Sequence, residues 1–198
     1  LMAAICGLST RLAARQRLLA AAGYVLLLPV AAWLAFLFWI AGGGPERHRL
    51  EAQIAANGIG EQVRFLGDIA NDALPELYRK ADIFVLPSHL RAEACGIVLA
   101  GALASGVPCI STALGTGTDF VNVHQQTGLV VPPNNPVALA DAIRCLANDP
   151  EQRARYSLAA RRRAERMLAR EPMLDEIERV YRDVINHPGD YERPSRRD

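Results

Sequence analysis

Short apolar runs alternate with helical patterns along most of the chain. The apolar runs lie around residues 3–8, 35–41, 63–66, 83–86, 108–111 and 129–131. Between them, helical periodicity is present around residues 12–22, 46–56, 73–80, 96–105 and 136–147. Strands that alternate with helices are typical of βαβ units. We therefore expect an α/β fold with a Rossmann-like parallel sheet flanked by helices.

Residues 150–186 show helical periodicity without a strand pattern. Apolar positions recur at three- and four-residue spacing at Leu174, Ile177, Val180, Tyr181 and Val184. Such spacing places them on one helix face, so we expect this face to pack onto the domain.

A basic cluster lies in the same segment, at Arg161, Arg162, Arg163, Arg166 and Arg170. Two interpretations stay open for it. The cluster is either a phosphate or membrane patch, or a solvated helix face in which Glu165 and Glu171 separate the arginines.

The run over residues 18–44 contains no charged residue. About twenty apolar residues suffice to span a bilayer as a helix, and Tyr24, Trp33 and Trp39 are typical of membrane interfaces. The alternative is a buried helix followed by a parallel strand, because strands covered on both faces are continuously apolar. Pro29 suits a break between helix and strand. Both interpretations are retained.

Composition narrows the range of partners. The chain has 198 residues, enough for one α/β domain, and its formal net charge of +1 gives no reason to expect a nucleic-acid partner. The cysteines are Cys6, Cys95, Cys109 and Cys145. None of them has metal-ligand spacing, so we expect free thiols in a reducing, cytosolic compartment.

The stretch ADIFVLPSHLRAEACGIVLAGALASGVPCIS carries the strongest chemical signal. A strand over residues 83–86 precedes a loop, and a helix begins near Gly96. Ligands of open α/β sheets collect beyond the carboxyl ends of the strands, where free amides of a helix start suit a diphosphate. Gly96 permits close approach of a ligand to the backbone. Glu93 either accepts hydrogen bonds from sugar hydroxyls or complements the helix dipole.

Other candidate motifs are weaker. The turn AGGGPE lacks the GxGxxG spacing of dinucleotide-binding proteins. The segment TALGTGTDFVNVHQQTG predicts a mobile loop that closes over a ligand, and it holds Asp119 and His124, whose roles stay ambiguous. No D-x-D pair is present, so we expect neither a metal nor another cofactor.

Four segments together resemble a known family. VRFLGDIANDALPELYRKADIFVLPS, EACGIVLAGALASGVPCIS, GTGTDFVN and TGLVVPPNNPVALADAI are similar, in order and spacing, to the C-terminal half of family-four glycosyltransferases of the GT-B fold. The resemblance extends from about Ala41 to about Tyr181. It implies a single donor-binding domain that serves transfer of a hexose from a UDP- or GDP-sugar to an acceptor hydroxyl. The last two segments are similar in sequence to bacterial enzymes of polysaccharide or lipid-linked saccharide synthesis.

The resemblance also assigns residues. It implies that Glu93, the one candidate catalytic residue, holds the donor hexose, and that Ile69 lies at the edge that reads the base. It further implies that Arg11 contacts the leaving diphosphate. The backbone that grips this diphosphate is that of Gly96, Ile97 and Val98.

Departures from the family pattern favour an alternative. Gly101 stands where the family has a second glutamate, which binds the donor ribose, and Gln16 stands where a lysine is expected. The family's N-terminal acceptor domain, the expected partner, is absent from this sequence. The alternative is therefore a degenerate or truncated relative without transferase activity.

We expect the chain to divide into four parts. Residues 1–44 form the apolar N-terminal segment, which is either part of the domain or a membrane segment. Residues 45–149 form the nucleotide-sugar-binding core, residues 150–186 the C-terminal helices, and residues 187–198 a disordered tail. We expect a cytoplasmic protein that contacts or is anchored at the inner membrane.

Overall fold

A computed structural model describes residues 25–28 and 37–187 of the chain. Several predictions lie outside these ranges. They are the strand around residues 3–8, the helix around residues 12–22, the role of Arg11 and the disordered tail.

Among the described residues, six strands form one sheet. They are β1 (Val25–Leu28), β2 (Phe38–Ala41), β3 (Val63–Gly67), β4 (Ile83–Leu86), β5 (Cys109–Thr112) and β6 (Gly128–Val131). Their order across the sheet is β3-β2-β1-β4-β5-β6. The pairs β2–β3, β4–β5 and β5–β6 are parallel, which confirms the predicted parallel sheet for these strands.

Strand β1 departs from this pattern. It pairs antiparallel with both β2 and β4. It was not predicted, because it lies inside the uncharged run over residues 18–44, where periodicity does not separate a strand from a helix. The predicted strand over residues 35–41 is β2. No helix among the described residues has the length and apolar character needed to cross a membrane.

The connections are mainly helical. They are α1 (Arg47–Ala56), α2 (Leu74–Arg79), α3 (Ile97–Ala104), α4 (Gly117–Val121), α5 (Pro136–Asn148), α6 (Pro150–Arg163), a π-helix (Ala164–Leu168) and α7 (Arg170–Asn186). A short 3₁₀ turn (Gly60–Gln62) precedes β3. The structure confirms the four described helices that were predicted before residue 150, to within a few residues at each end.

Helices cover the sheet on both faces. In β4, Ile83 and Val85 join the core cluster that includes residues of α1 and α5, whereas Phe84 and Leu86 join the cluster that includes residues of α2, α3 and α6. All four β4 side chains are at most 2% exposed. This two-sided burial explains why β4 reads as a continuous apolar run.

The prediction that the apolar face of α7 packs onto the domain is wrong. None of its residues is buried. Leu174, Ile177, Val180 and Tyr181 are between 43% and 66% exposed among the described residues. The periodicity of α7 therefore correctly indicated an apolar face, but the described residues do not bury that face.

Candidate functional site

The turn before α3 combines an unusual backbone conformation with tight packing. Gly96 has φ 67° and ψ 54°, in the left-handed region that favours glycine. A Cβ atom at this position would lie 2.9 Å from Leu99 Cδ1 and 3.1 Å from Thr118 Cγ2. Both the conformation and the space therefore require glycine here.

This turn presents backbone amides beyond the carboxyl end of β4. Leu99 N–H donates to Gly96 O at 2.8 Å. The N–H groups of Ile97 and Val98, in the first turn of α3, have no acceptor within the helix. Ile97 is 81% exposed, so the start of α3 is open to solvent. Two amides and the positive end of the helix dipole are thus available to an anion.

The Glu93 side chain contacts the turn before α3. Its Oε1 accepts a hydrogen bond from Gly96 N–H at 3.1 Å, and Ser88 Oγ donates to its Oε2 at 3.4 Å. The Glu93 carboxylate therefore lies beside the start of α3, where it binds the N–H of the residue that precedes the helix and no amide of the first helical turn. A carboxylate offers about four lone-pair positions, so two contacts leave capacity for a ligand hydroxyl.

The loop after β5 is tied to the Glu93 loop. Thr116 Oγ1 donates to Glu93 O at 2.9 Å, and Gly117 N–H donates to Ala94 O at 2.7 Å. Arg91 Nη1 and Nη2 donate to the carbonyls of Leu114 and Gly115, each at 3.2 Å. The expectation of a mobile cover is thus not supported, because hydrogen bonds fix this segment beside the turn before α3.

Asp119 and His124 stabilise loops. Asp119 Oδ2 accepts from Gly115 N–H at 2.9 Å, and His124 Nδ1 accepts from Val130 N–H at 2.9 Å. Asn122, which the sequence did not mark as a candidate, is fully buried. Its Nδ2 donates to Ser111 Oγ, and its Oδ1 accepts from Thr127 Oγ1, each at 2.9 Å. A single asparagine before a turn does not allow this hydrogen-bond network to be predicted from the sequence.

A cavity of about 510 Å³ opens between α2 and α3. Asn71, Tyr78, Val98, Gly101 and Arg161 are among the residues that line it. It therefore begins beside the first turn of α3 and extends along the helix past Gly101.

At Gly101 the helix backbone meets an aromatic ring. A Cβ atom there would lie 2.9 Å from Tyr78 Cε2. Tyr78 is only 4% exposed and packs edge to face against Phe84, with ring centroids 5.5 Å apart. Burial raises the pKa of the Tyr78 hydroxyl above its ordinary value. A side chain at position 101 would have to displace this ring.

Comparison with known proteins places this arrangement in a family. The family described as Glycosyl transferases group 1 matches residues 14–163. The chain belongs to this family. Over 113 residues it is 44% identical to D-rhamnosyltransferase WbpZ of Pseudomonas aeruginosa, a match that covers 57% of this chain and 29% of the relative. It is 35% identical over 146 residues to the O-antigen chain mannosyltransferase C of Escherichia coli, covering 74% and 39% respectively.

A solved structure shares the fold of this chain. HepE from Anabaena, in complex with UDP-glucose, superposes with a TM-score of 0.65 at 22% identity, over 73% of this chain and 40% of that one. The chain thus spans well under half the length of these relatives. The resemblance to a C-terminal GT-B domain is confirmed.

The structure brings most of the assigned glycosyltransferase residues to one place. Glu93 and Gly96 form the turn, Ile97 and Val98 the first turn of α3, and Gly101 lies farther along the same helix. Ile69 is half-buried in the loop after β3. Asn71 of that loop lines the cavity together with Val98 and Gly101. No cluster of His, Cys, Asp and Glu suited to a metal ion occurs within the described ranges.

Proposed function

We propose that this chain is the donor-binding domain of a glycosyltransferase that moves a hexose from a UDP- or GDP-sugar to an acceptor hydroxyl. The observation that carries the proposal is the open turn before α3, where the amides of Ile97 and Val98 lie next to the Glu93 carboxylate. The family match and the UDP-glucose complex of HepE support this class of donor.

The turn suits a leaving diphosphate. Negative charge develops on the diphosphate as the bond to the sugar breaks, and preorganised amides at a helix start stabilise such charge. Gly96 carries no side chain that would hold the diphosphate away from them. Repulsion keeps the Glu93 carboxylate off the phosphates, whereas its free lone pairs can accept hydrogen bonds from hexose hydroxyls. Glu93 would therefore orient the sugar beside the bound diphosphate.

The nucleoside fits beside this turn. In the proposal it extends from the first turn of α3 into the cavity between α2 and α3, with its base near Ile69 and Asn71. Gly101 offers no carboxylate to the ribose, and Arg11 remains a proposed diphosphate ligand. We do not favour the degenerate-relative alternative, because Glu93, Gly96 and the open amides retain the features of a donor site.

The proposal extends to partners and place of action. The acceptor has to be held by a further domain, and the relatives named above act in rhamnose and O-antigen mannose transfer. We propose polysaccharide or lipid-linked saccharide synthesis at the inner membrane surface. A cytoplasmic location agrees with the free thiols of Cys95, Cys109 and Cys145.

Thermal unfolding with nucleotides tests the proposal. UDP or GDP, and the corresponding UDP-glucose or GDP-mannose, should raise Tm, and binding at about a hundred times Kd adds about 2.7 kcal/mol of stability. UMP and GMP are the controls, because they lack the diphosphate and should stabilise less.

A variant separates the sugar contact from the phosphate contact. Glu93→Gln keeps an oxygen acceptor for Gly96 N–H but removes the charge offered to hexose hydroxyls. It should weaken UDP-glucose or GDP-mannose binding more than binding of the free diphosphate. If none of these ligands shifted Tm in the parent chain, the donor-site proposal would be refuted.

A further inference from the structure

A second surface of the molecule combines positive charge with exposed apolar side chains. It lies on α6 and the π-helix, along a groove of about 390 Å³. We call it the arginine face and define it by Arg155, Leu158, Arg162, Arg163, Arg166 and Met167. These residues recur at helical spacing, whereas Tyr156, Ala160 and Ala164 face the other way and are buried in the domain.

The four arginines of this face carry charge that no described acidic side chain neutralises through an ion pair. None of the ion pairs among the described residues includes them. Within the part of the chain that the structure describes, no acidic side chain lines the groove. Since the whole chain carries a formal net charge of only +1, the arginine face is a local excess of positive charge.

Apolar side chains are interleaved with these charges. Leu158 is 54% exposed and Met167 50% exposed. Arg163 donates to the carbonyls of Phe120 and Val121, and its guanidinium lies 5.0 Å from the centroid of the Phe120 ring. Phe120, itself 53% exposed, is thereby held next to the face. Along the chain, Arg162, Arg163 and Arg166 lie between Leu158 and Met167.

We propose that the arginine face docks on a membrane that contains anionic phospholipid. A helix lying in the interface inserts scattered apolar tips below the headgroups, while long arginine side chains reach the phosphates beside them. An acidic protein would use the charges but leave the separated apolar tips without a pocket. Charge complementarity and the interleaved pattern together therefore favour a bilayer surface.

The arginine face lies close to the elements that form the proposed donor site. Ala160, on the inner side of α6, is buried in the same core cluster as Leu99 and Leu103 of α3. Arg161 of α6 lines the cavity between α2 and α3. The face is therefore on the outer side of the helix that supports α3. Docking of the arginine face would hold the domain at the membrane, where we propose that the protein acts. This docking does not depend on whether the turn before α3 binds a donor.

Vesicle sedimentation with the full chain tests the docking. The parent should bind vesicles of phosphatidylcholine mixed with phosphatidylglycerol much more strongly than vesicles of phosphatidylcholine alone, and added salt should weaken binding. The test variant carries Arg155→Gln, Arg162→Gln and Arg166→Gln. It should bind anionic vesicles at least about tenfold more weakly, because each arginine near an anionic surface contributes to binding.

The chain offers a matched control. Arg49→Gln, Arg179→Gln and Arg182→Gln remove the same charge from arginines that pair with glutamates on α1 and α7. This control should bind nearly as well as the parent. Equal losses in the two triple variants, or equal binding to neutral and anionic vesicles, would overturn the proposal.

A third variant tests the apolar contribution. Leu158→Ser with Met167→Ser should weaken vesicle binding several-fold while leaving all charges in place. No change in this variant would overturn membrane docking in favour of an acidic macromolecule. Circular dichroism verifies folding of each variant, and nucleotide-induced Tm shifts on the same samples report separately on the donor site.

Discussion

One glycine precedes the first turn of α3 and another lies in the middle of this helix, and the two glycines are required for different reasons. Gly96 adopts a positive φ of 67° and is crowded by Leu99 and Thr118, and its conformation opens the first amides of the helix. Gly101 is not among the positive-φ glycines, and the atoms nearest to a Cβ at this position belong to Tyr78. The first glycine shapes the proposed diphosphate site, whereas the second one accommodates a neighbouring side chain.

The largest effect is expected from Gly96→Ala. We expect a loss of about 2–4 kcal/mol in the free energy of unfolding, from backbone strain together with overpacking against Leu99. Urea denaturation measures this loss. Gly58→Ala is the matched control, because Gly58 has φ 64° and no atom within 4 Å of a built Cβ. The control should lose only about 1–2 kcal/mol. Equal losses would show that crowding is unimportant at Gly96.

The second prediction concerns Gly101→Ala. Replacing a helical glycine by alanine normally stabilises by about 1 kcal/mol, but the new methyl group meets Tyr78 and should cost about 1–3 kcal/mol. We expect a net loss of about 1 kcal/mol in urea denaturation.

A double-mutant cycle makes this prediction sharper. In a Tyr78→Leu background, Gly101→Ala should change sign and become stabilising, because the ring is gone. Gly101→Glu should likewise improve nucleotide affinity only in that background, if position 101 reaches the ribose. A loss of the same size in both backgrounds would show that Tyr78 does not limit this position.

A smaller effect is expected at Glu93. Glu93→Ala removes the acceptor for Gly96 N–H and should cost about 1 kcal/mol of stability. Glu93→Gln retains an oxygen in that position and should cost less. Hydrogen exchange of the Gly96 amide is the direct measurement, and exchange should accelerate in the alanine variant only. Acceleration in both variants would indicate that the charge, not the oxygen, holds the turn.

The difference between the two glycines also shows how much the sequence predicts. The apolar run of β4, the loop and the glycine at the start of α3 form a local pattern, and local patterns predicted the strand, the helix and the turn. The contact between Tyr78 and Gly101 joins two helices, and no local pattern contains it. The same reason explains the missed antiparallel β1 and the unpacked face of α7, since both depend on which element lies next to them.

The smallest effect is expected from removal of the Tyr78 hydroxyl, because this change leaves the aromatic ring in place against Gly101. Burial raises the pKa of Tyr78 above its ordinary value of about 10. The folded state therefore favours the protonated hydroxyl. This contribution to stability is fully present below about pH 10 and is lost as pH rises through the folded-state pKa. Tyr78→Phe should show a shallower loss of Tm above about pH 10 than the parent. Burial also raises the pKa of Tyr156, which titrates in parent and variant alike. The buried Cys109 thiol interacts electrostatically with Tyr78, so the difference between the two curves reports on Tyr78 together with this interaction. Parallel Tm curves for parent and variant would mean that the Tyr78 hydroxyl reaches solvent through the cavity between α2 and α3. In that case only the edge of the Tyr78 ring would lie between Gly101 and α2.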